Sequence, residues 1–259
     1  IISILGILIA GGLFVPIDPD YPQSRQGQIL EGSSPVALLT DSGRMFDLSG
    51  IFSGHLMAVD IELGSVEHAG SAVRLSATDG AYILYTSGST GVPKGVEVSH
   101  GSLSNYLSWA NSYYFGGDRG YRFGYFSSLS FDLTLTSILS TLLRGDELYI
   151  AGEGDAGMVL GEVLSPSNGV NSLKLTPSHV QVLSELGVDC SGLERVILGG
   201  EALNESHVGW LRSQNANIRL YNEYGPTECT IGCTVKEIKD SITIGQPIAN
   251  VESWVLSSE

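Results

Sequence analysis

The run Thr86-Ser87-Gly88-Ser89-Thr90-Gly91-Val92-Pro93-Lys94-Gly95 gathers hydroxyls and glycines behind the apolar stretch Ala81 to Tyr85 and closes on a lysine. Glycine lets backbone N–H groups converge on phosphate oxygens, hydroxyls add donors and lysine adds a full charge, so such a turn can wrap an oxyanion. It is not the G-x-x-x-x-G-K-[ST] phosphate loop, because proline rather than glycine precedes Lys94. On composition alone, a flexible turn and a phosphate loop stand level. A second group, Asn222-Glu223-Tyr224-Gly225-Pro226-Thr227-Glu228, follows the strand-like Ile218 to Tyr221. That places it at a strand's carboxyl end, where ligands bind in open α/β sheets. Its aromatic face suits a purine, its hydroxyl a phosphate and its carboxylate a magnesium ion. A turn with the tyrosine packed inward is the competing reading.

Elements able to position these groups recur along the chain. Apolar or β-branched runs at 36–40, 81–86, 147–151, 172–176 and 195–200 predict strands. Apolar residues at three- and four-residue steps predict helices at 22–32, 99–113, 132–143, 177–186 and 202–213. This alternation predicts α/β layers with mainly parallel strands. The uncharged opening, Ile1 to Ile17, is too short and too interrupted by Gly11-Gly12 and Pro16 for a membrane span, and it lacks the basic start of a signal peptide. It reads as a helix, a turn and a strand at Leu13-Phe14-Val15, buried on both faces. Residues 64–79, small and polar without a clear period, read as a connection between two lobes.

With 13 Lys+Arg against 28 Asp+Glu the net charge is −15, and 42% of the 259 residues are hydrophobic. That excludes dominant disorder and disfavours a nucleic-acid partner, which would need clustered basic side chains. Cys190, Cys229 and Cys233 form no C-x-x-C, and the five histidines lack zinc-site spacing. Neither a structural metal nor a disulfide scaffold is expected, and the thiols read as reduced residues of a cytoplasmic protein.

Taken in order, the two groups resemble amino-acid adenylation domains of nonribosomal peptide synthetases, within the adenylate-forming superfamily. Further segments carry the resemblance: Ala10-Gly11-Gly12-Leu13-Phe14-Val15-Pro16-Ile17-Asp18-Pro19 with Tyr21-Pro22, Phe131-Asp132, Leu198-Gly199-Gly200-Glu201-Ala202-Leu203, and Ile244-Gly245-Gln246-Pro247-Ile248-Ala249-Asn250. The resemblance implies ATP and Mg²⁺ as cofactors. Thr86, Ser87, Gly88, Ser89, Thr90 and Gly91, with Lys94 behind them, would hold the β- and γ-phosphates; a lysine that only braces its loop is the alternative. Tyr224 would stack on adenine against the backbone of Gly199, Gly200 and Glu201. Thr227 would reach the α-phosphate and Glu228 would hold Mg²⁺. Glu201 has a structural alternative, a carboxylate welcomed by a helix N-terminus. The implied reaction joins a substrate carboxylate to the α-phosphorus, releases pyrophosphate and passes the aminoacyl adenylate to a phosphopantetheine thiol on a carrier protein.

By the same resemblance Asp132 pairs with the substrate α-ammonium, a helix N-cap being the alternative. Leu133, Thr136, Lys174, Ile197, Gly199, Glu223, Ile231 and Gly232 would line the side-chain pocket. Lys174 and Glu223 are costly to bury unless paired or matched by the substrate. A carboxamide satisfies both, whereas an aspartate side chain meets like charge at Glu223. The pattern resembles an asparagine-type pocket, with aspartate or glutamine as alternatives and mutual neutralisation of Lys174 and Glu223 as the structural reading.

The family implies stacked αβα lobes. The expected boundaries are a first lobe over 1–98 with the phosphate turn, a second over 99–235 with the amino-acid pocket, and the start of a small β-barrel over 236–259. The family's ribose-binding Thr-Gly-Asp stretch and its C-terminal lid are not found, so the chain reads as a central core fragment, incomplete for turnover. A non-catalytic recognition module is the alternative from another class, and an acyl-CoA ligase is disfavoured by Asp132. No membrane partner is expected.

Overall fold

Most of the short apolar runs between turn residues become strands, and the fold is mixed α/β. The computed structural model describes residues 1–62, 73–87, 93–118, 120–152 and 154–257. The chain divides into two units, Ile1–Gly101 and Ser102–Glu259.

In the first unit, helices α1 (Ile2–Ile9), α2 (Gln23–Ser33), α3 (Met45–Ser49) and α4 (Val59–Glu62) accompany two strand pairs. Strands β1 (Ala37–Thr40) and β2 (His55–Ala58) run parallel. Strands β3 (Gly80–Thr86) and β4 (Lys94–Ser99) form an antiparallel ladder with Thr86 opposite Lys94. The opening differs from expectation in two ways. Leu13-Phe14-Val15 contributes a single bridge, Phe14 to Tyr82, rather than a strand. Within α1 only Ile4 is buried, while Ile2 and Ile9 are 70% and 57% exposed, because a short helix packs through one stripe even when every side is apolar. Residues 64–72 of the expected connection lie outside the described residues.

The second unit opens with α5, which starts at the division (His100–Ala110), and is built on a seven-stranded sheet. Its strands are β5 (Arg122–Tyr125), β6 (Glu147–Ile150), β7 (Ser172–Leu175), β8 (Arg195–Leu198), β9 (Arg219–Tyr224), β10 (Thr234–Glu237) and β11 (Gln246–Pro247), in the order β11-β10-β9-β8-β7-β5-β6. All pairings from β6 to β9 are parallel, and β10 and β11 add antiparallel at one edge. No closed barrel forms among the described residues.

Helices α6 (Leu133–Leu135) and α7 (Thr141–Arg144) follow β5, and α8 (Ala156–Val163), α9 (Pro177–Leu186) and α10 (Glu205–Gln214) link the parallel strands. Caps set the starts of the last two: Thr176 with His179 for α9 and Asn204 with His207 for α10, each a reciprocal capping box. Leu160, Val163, Val180, Leu183, Val208 and Leu211 from these helices pack on Leu173, Leu175, Val196, Leu198 and Leu220 of the sheet. Two stretches wind as π-helix, Asn111–Phe115 after α5 and Thr136–Ser140 between α6 and α7.

Strand β9 is longer than expected. It takes in Asn222, Glu223 and Tyr224 because β10, which the sequence pattern does not predict, pairs Val235 with Glu223 and Thr234 with Tyr224. The corner therefore begins at Gly225.

Candidate functional site

Lys174, Ile197 and Tyr221 are register partners across β7, β8 and β9, so their side chains share one face of the sheet, and Glu223 joins them two residues further along β9. Lys174 and Glu223 form an ion pair with side chains only 1% and 2% exposed. Such burial is tolerable only when the remaining donors and acceptors are satisfied. Lys174 Nζ also donates to Thr136 Oγ1 at 2.9 Å and to the Tyr106 hydroxyl oxygen at 3.2 Å. Tyr106 donates to Glu223 Oε2 at 2.8 Å, and Tyr114 donates to the same oxygen. Burial, and then the negative charge of Glu223, hold both phenols well above the ordinary tyrosine range, so they remain protonated donors.

Of the other expected pocket residues, Thr136 bonds to Lys174, and Gly199 and Gly232 lie against Glu223. Leu133 and Thr136 come from the helix that Asp132 opens. Gly199 follows β8 directly, and a Cβ there would stand 2.9 Å from the Glu223 carbonyl oxygen. A Cβ at Gly232 would stand 2.5 Å from Glu223 Cδ, so the bare glycine makes room for the carboxylate. Buried Ile231 sits at φ 67°, a left-handed conformation that a β-branched residue rarely adopts.

Asp132 stands at the N-cap position, yet its side chain makes no capping hydrogen bond. Its Oδ2 is buried without a partner among the described residues. Burial raises this carboxyl above its ordinary value, against the pull of the Lys174 charge and a hydrogen bond from Thr227. The structure thus brings Asp132 and Thr227 together. Thr227 and Glu228 lie on a 3₁₀ turn, Thr227–Cys229, with Glu228 exposed. The Tyr224 ring, at the end of β9, is 51% exposed.

Glu201 accepts from the Ser178 amide at 3.0 Å and from the Ser178 hydroxyl, at the N-terminus of α9, as its structural reading required. Burial would raise its carboxyl, but the Ser178 hydrogen bonds prevail and lower it. Neighbouring Gly200 adopts φ 81°. Among the described residues no group of three His, Cys, Asp or Glu could hold a metal alone. One exposed carboxylate such as Glu228 still fits Mg²⁺ that arrives on a nucleotide, since this ion takes one or two carboxylates and leaves the other positions to phosphates and water. Cys190 is buried and its thiol is pushed up to about 12 by burial and then by Asp189, which suits packing rather than nucleophilic chemistry.

The sequence profile described as AMP-binding enzyme matches residues 1–259. The chain belongs to that family. Relatives of this AMP-binding enzyme include bacitracin synthase 3 of Bacillus licheniformis, 35% identical over 99% of this chain and 4% of that protein. Tyrocidine synthase 3 of Brevibacillus parabrevis is 35% identical over 100% of this chain and 4% of its own length. The chain thus spans only a small part of the curated relatives it matches. The AMPPNP-bound form of the nonribosomal peptide synthetase FmoA3 matches with a TM-score of 0.86 at 24% identity, over 96% of this chain and 28% of that one, and shows the shared fold.

In the first unit, Thr86 ends β3, Ser87 follows it, and exposed Lys94 begins β4. Gly88, Ser89, Thr90 and Gly91 lie outside the described residues. Sequence reasoning missed Tyr106 and Tyr114. The signal was the aromatic density of Tyr106, Trp109, Tyr113, Tyr114 and Phe115 around the end of an expected helix. No helix among the described residues is long and apolar enough to cross a membrane.

Proposed function

We propose that this chain forms the amino-acid-selecting part of an AMP-forming ligase that activates L-asparagine as asparaginyl-AMP and passes it to a carrier-protein phosphopantetheine thiol. The observation that carries the reading is the buried Asp132 Oδ2, without a partner among the described residues, near the Lys174–Glu223 pair. An α-ammonium would supply the missing partner, and a side chain extending toward the pair would meet one donor group and one acceptor. In the activation step a carboxylate oxygen bonds to the α-phosphorus, the bond to the β-phosphate bridge breaks, and pyrophosphate leaves. Holding the reactants in line accounts for most of the catalysis such a site needs.

In that reaction Thr227 would reach the α-phosphate, Tyr224 would offer its exposed ring to adenine together with the backbone of Gly199, Gly200 and Glu201, and Glu228 would hold Mg²⁺, which would supply charge neutralisation on the phosphates. By the family resemblance, the β- and γ-phosphates would be held by the turn from Thr86 to Gly91 with Lys94. The carboxamide NH₂ donates to Glu223, and its oxygen takes a Lys174 hydrogen in place of the 3.2 Å contact to Tyr106, the weaker of the two neutral-oxygen contacts. Pyrophosphate exchange with Asn, Asp and Gln, in the full polypeptide that carries this sequence, tests the reading: Asn is expected to lead, and preference for Asp would refute the charge argument. Glu223→His is expected to move preference towards Asp.

A second reading is favoured by the completeness of the network, in which every Lys174 hydrogen is already committed. The pair then neutralises itself, and the pocket selects by size. Extending the exchange panel to alanine and valine would then show a small apolar amino acid ahead of Asn.

A further inference from the structure

The protons of the buried network can be assigned. Lys174 spends its three hydrogens on Thr136, Tyr106 and Glu223 Oε1. Tyr106 gives its hydrogen to Glu223 Oε2, so in the 2.8 Å contact between Tyr106 and Thr136 the threonine must be the donor. The Tyr106 oxygen then accepts from both Lys174 and Thr136 and has no capacity left. Tyr114 adds a second donor to Oε2. A carboxylate oxygen has two in-plane lone pairs, so Oε2 is saturated, whereas Oε1 holds only Lys174 among the described residues and keeps one acceptor position open.

Two of these hydroxyls share an uncommon backbone setting. Tyr114 lies in the π-helical stretch Asn111–Phe115 and Thr136 in the π-helical stretch Thr136–Ser140. The π-helix is rare and occurs frequently at functional sites. The Tyr114 ring is itself fixed, edge-on to Tyr221 at 4.9 Å and to Trp109 at 5.3 Å.

We infer that Tyr114 and Tyr106 are positioning residues for substrate selection: by saturating Glu223 Oε2 they leave Oε1 as the acceptor the pocket presents, which selects a side-chain N–H donor over a carboxylate. The inference rests on the amino-acid-activating reading above and extends it to two residues that do not contact substrate. Without the Tyr114 hydroxyl, Oε2 also seeks a donor, the carboxylate can rotate between its partners, and a bound carboxamide is no longer aligned with Asp132.

The test is pyrophosphate exchange by the full polypeptide with Tyr114→Phe and Tyr106→Phe, which keep the rings and remove one oxygen each. Tyr114→Phe is expected to raise KM for Asn about tenfold and to lower the Asn-over-Asp ratio of kcat/KM by a similar factor, with KM for ATP unchanged. Tyr106→Phe is expected to do more, because Lys174 and Thr136 lose a partner as well. A purely structural tyrosine would lower melting temperature and leave the ratio in place, so folded Phe variants whose ratio stays within twofold of the parent overturn the inference. Fluorotyrosine incorporation supplies a measurement independent of variant folding: the ¹⁹F resonances of Tyr106 and Tyr114 are expected to move on adding L-asparagine, and their invariance at saturation overturns it equally. The parent panel decides the Asn reading separately, since a parent selective for Asn is compatible with Phe variants that show no shift.

Discussion

The two faces of the second unit's sheet differ sharply although both are buried. On one, Leu173, Leu175, Val196, Leu198 and Leu220 meet the apolar sides of α8, α9 and α10. On the other, Lys174, Tyr221 and Glu223 meet Tyr106, Tyr114 and Thr136 through hydrogen bonds and ring edges. The first face is held by area and shape, which tolerate neighbouring substitutions of similar volume. The second is held by matching donors to acceptors, where removing one member strands another. The apolar face supports, and the polar face is where substrate selection is proposed to occur.

The largest expected contrast comes from breaking the ion pair. Lys174→Met leaves Glu223 buried without its cation and is expected to lower unfolding free energy by about 3–5 kcal/mol in urea denaturation. The double change Lys174→Met with Glu223→Leu is expected to recover most of that, because apolar replacement of a buried pair is often neutral. Leu173→Ala on the opposite face is expected to cost about 2–5 kcal/mol, with no partner change to restore it. A double variant as unstable as the single would show that the polar face is held by shape after all.

A smaller effect is expected at Gly232, where an added Cβ would press on Glu223 Cδ at 2.5 Å. Gly232→Ala is expected to cost about 1–3 kcal/mol. In a cycle with Glu223→Ala most of that cost should vanish, and persistence of the full cost would place the strain in the backbone instead.

The smallest effect concerns Asp132. Burial raises its folded-state value, so stability falls as pH rises from the ordinary carboxyl range, near 4, toward that raised value, and is unaffected below it. Asp132→Asn is expected to remove this slope and to raise stability at pH 7, while abolishing L-asparagine binding in calorimetry. A destabilised Asp132→Asn protein would mean that the carboxylate is already held by the fold rather than open to a ligand.

Much of the architecture was legible. The runs at 172–176 and 195–200 and the helix at 177–186 appear nearly as read, since apolar period, Pro177 and the capping Thr176 all point the same way. Strand β10 was not legible, because Thr-Val-Lys-Glu reads as an exposed segment until its pairing with β9 is known. Lys174 shows the same difficulty from the other side. Within Ser-Leu-Lys-Leu a period of two assigns the lysine to solvent, yet it is 2% exposed.

The residue types and their order determined the family, the alternating elements, and the three charged residues Asp132, Lys174 and Glu223 on which selection is proposed to turn. Only the tertiary structure decided that Lys174 and Glu223 bond to one another, that Tyr106 and Tyr114 complete the network, and that one Asp132 oxygen has no partner among the described residues. Periodicity reports which face of an element a side chain takes, whereas hydrogen-bond saturation depends on which distant segments bring their donors within about 3 Å.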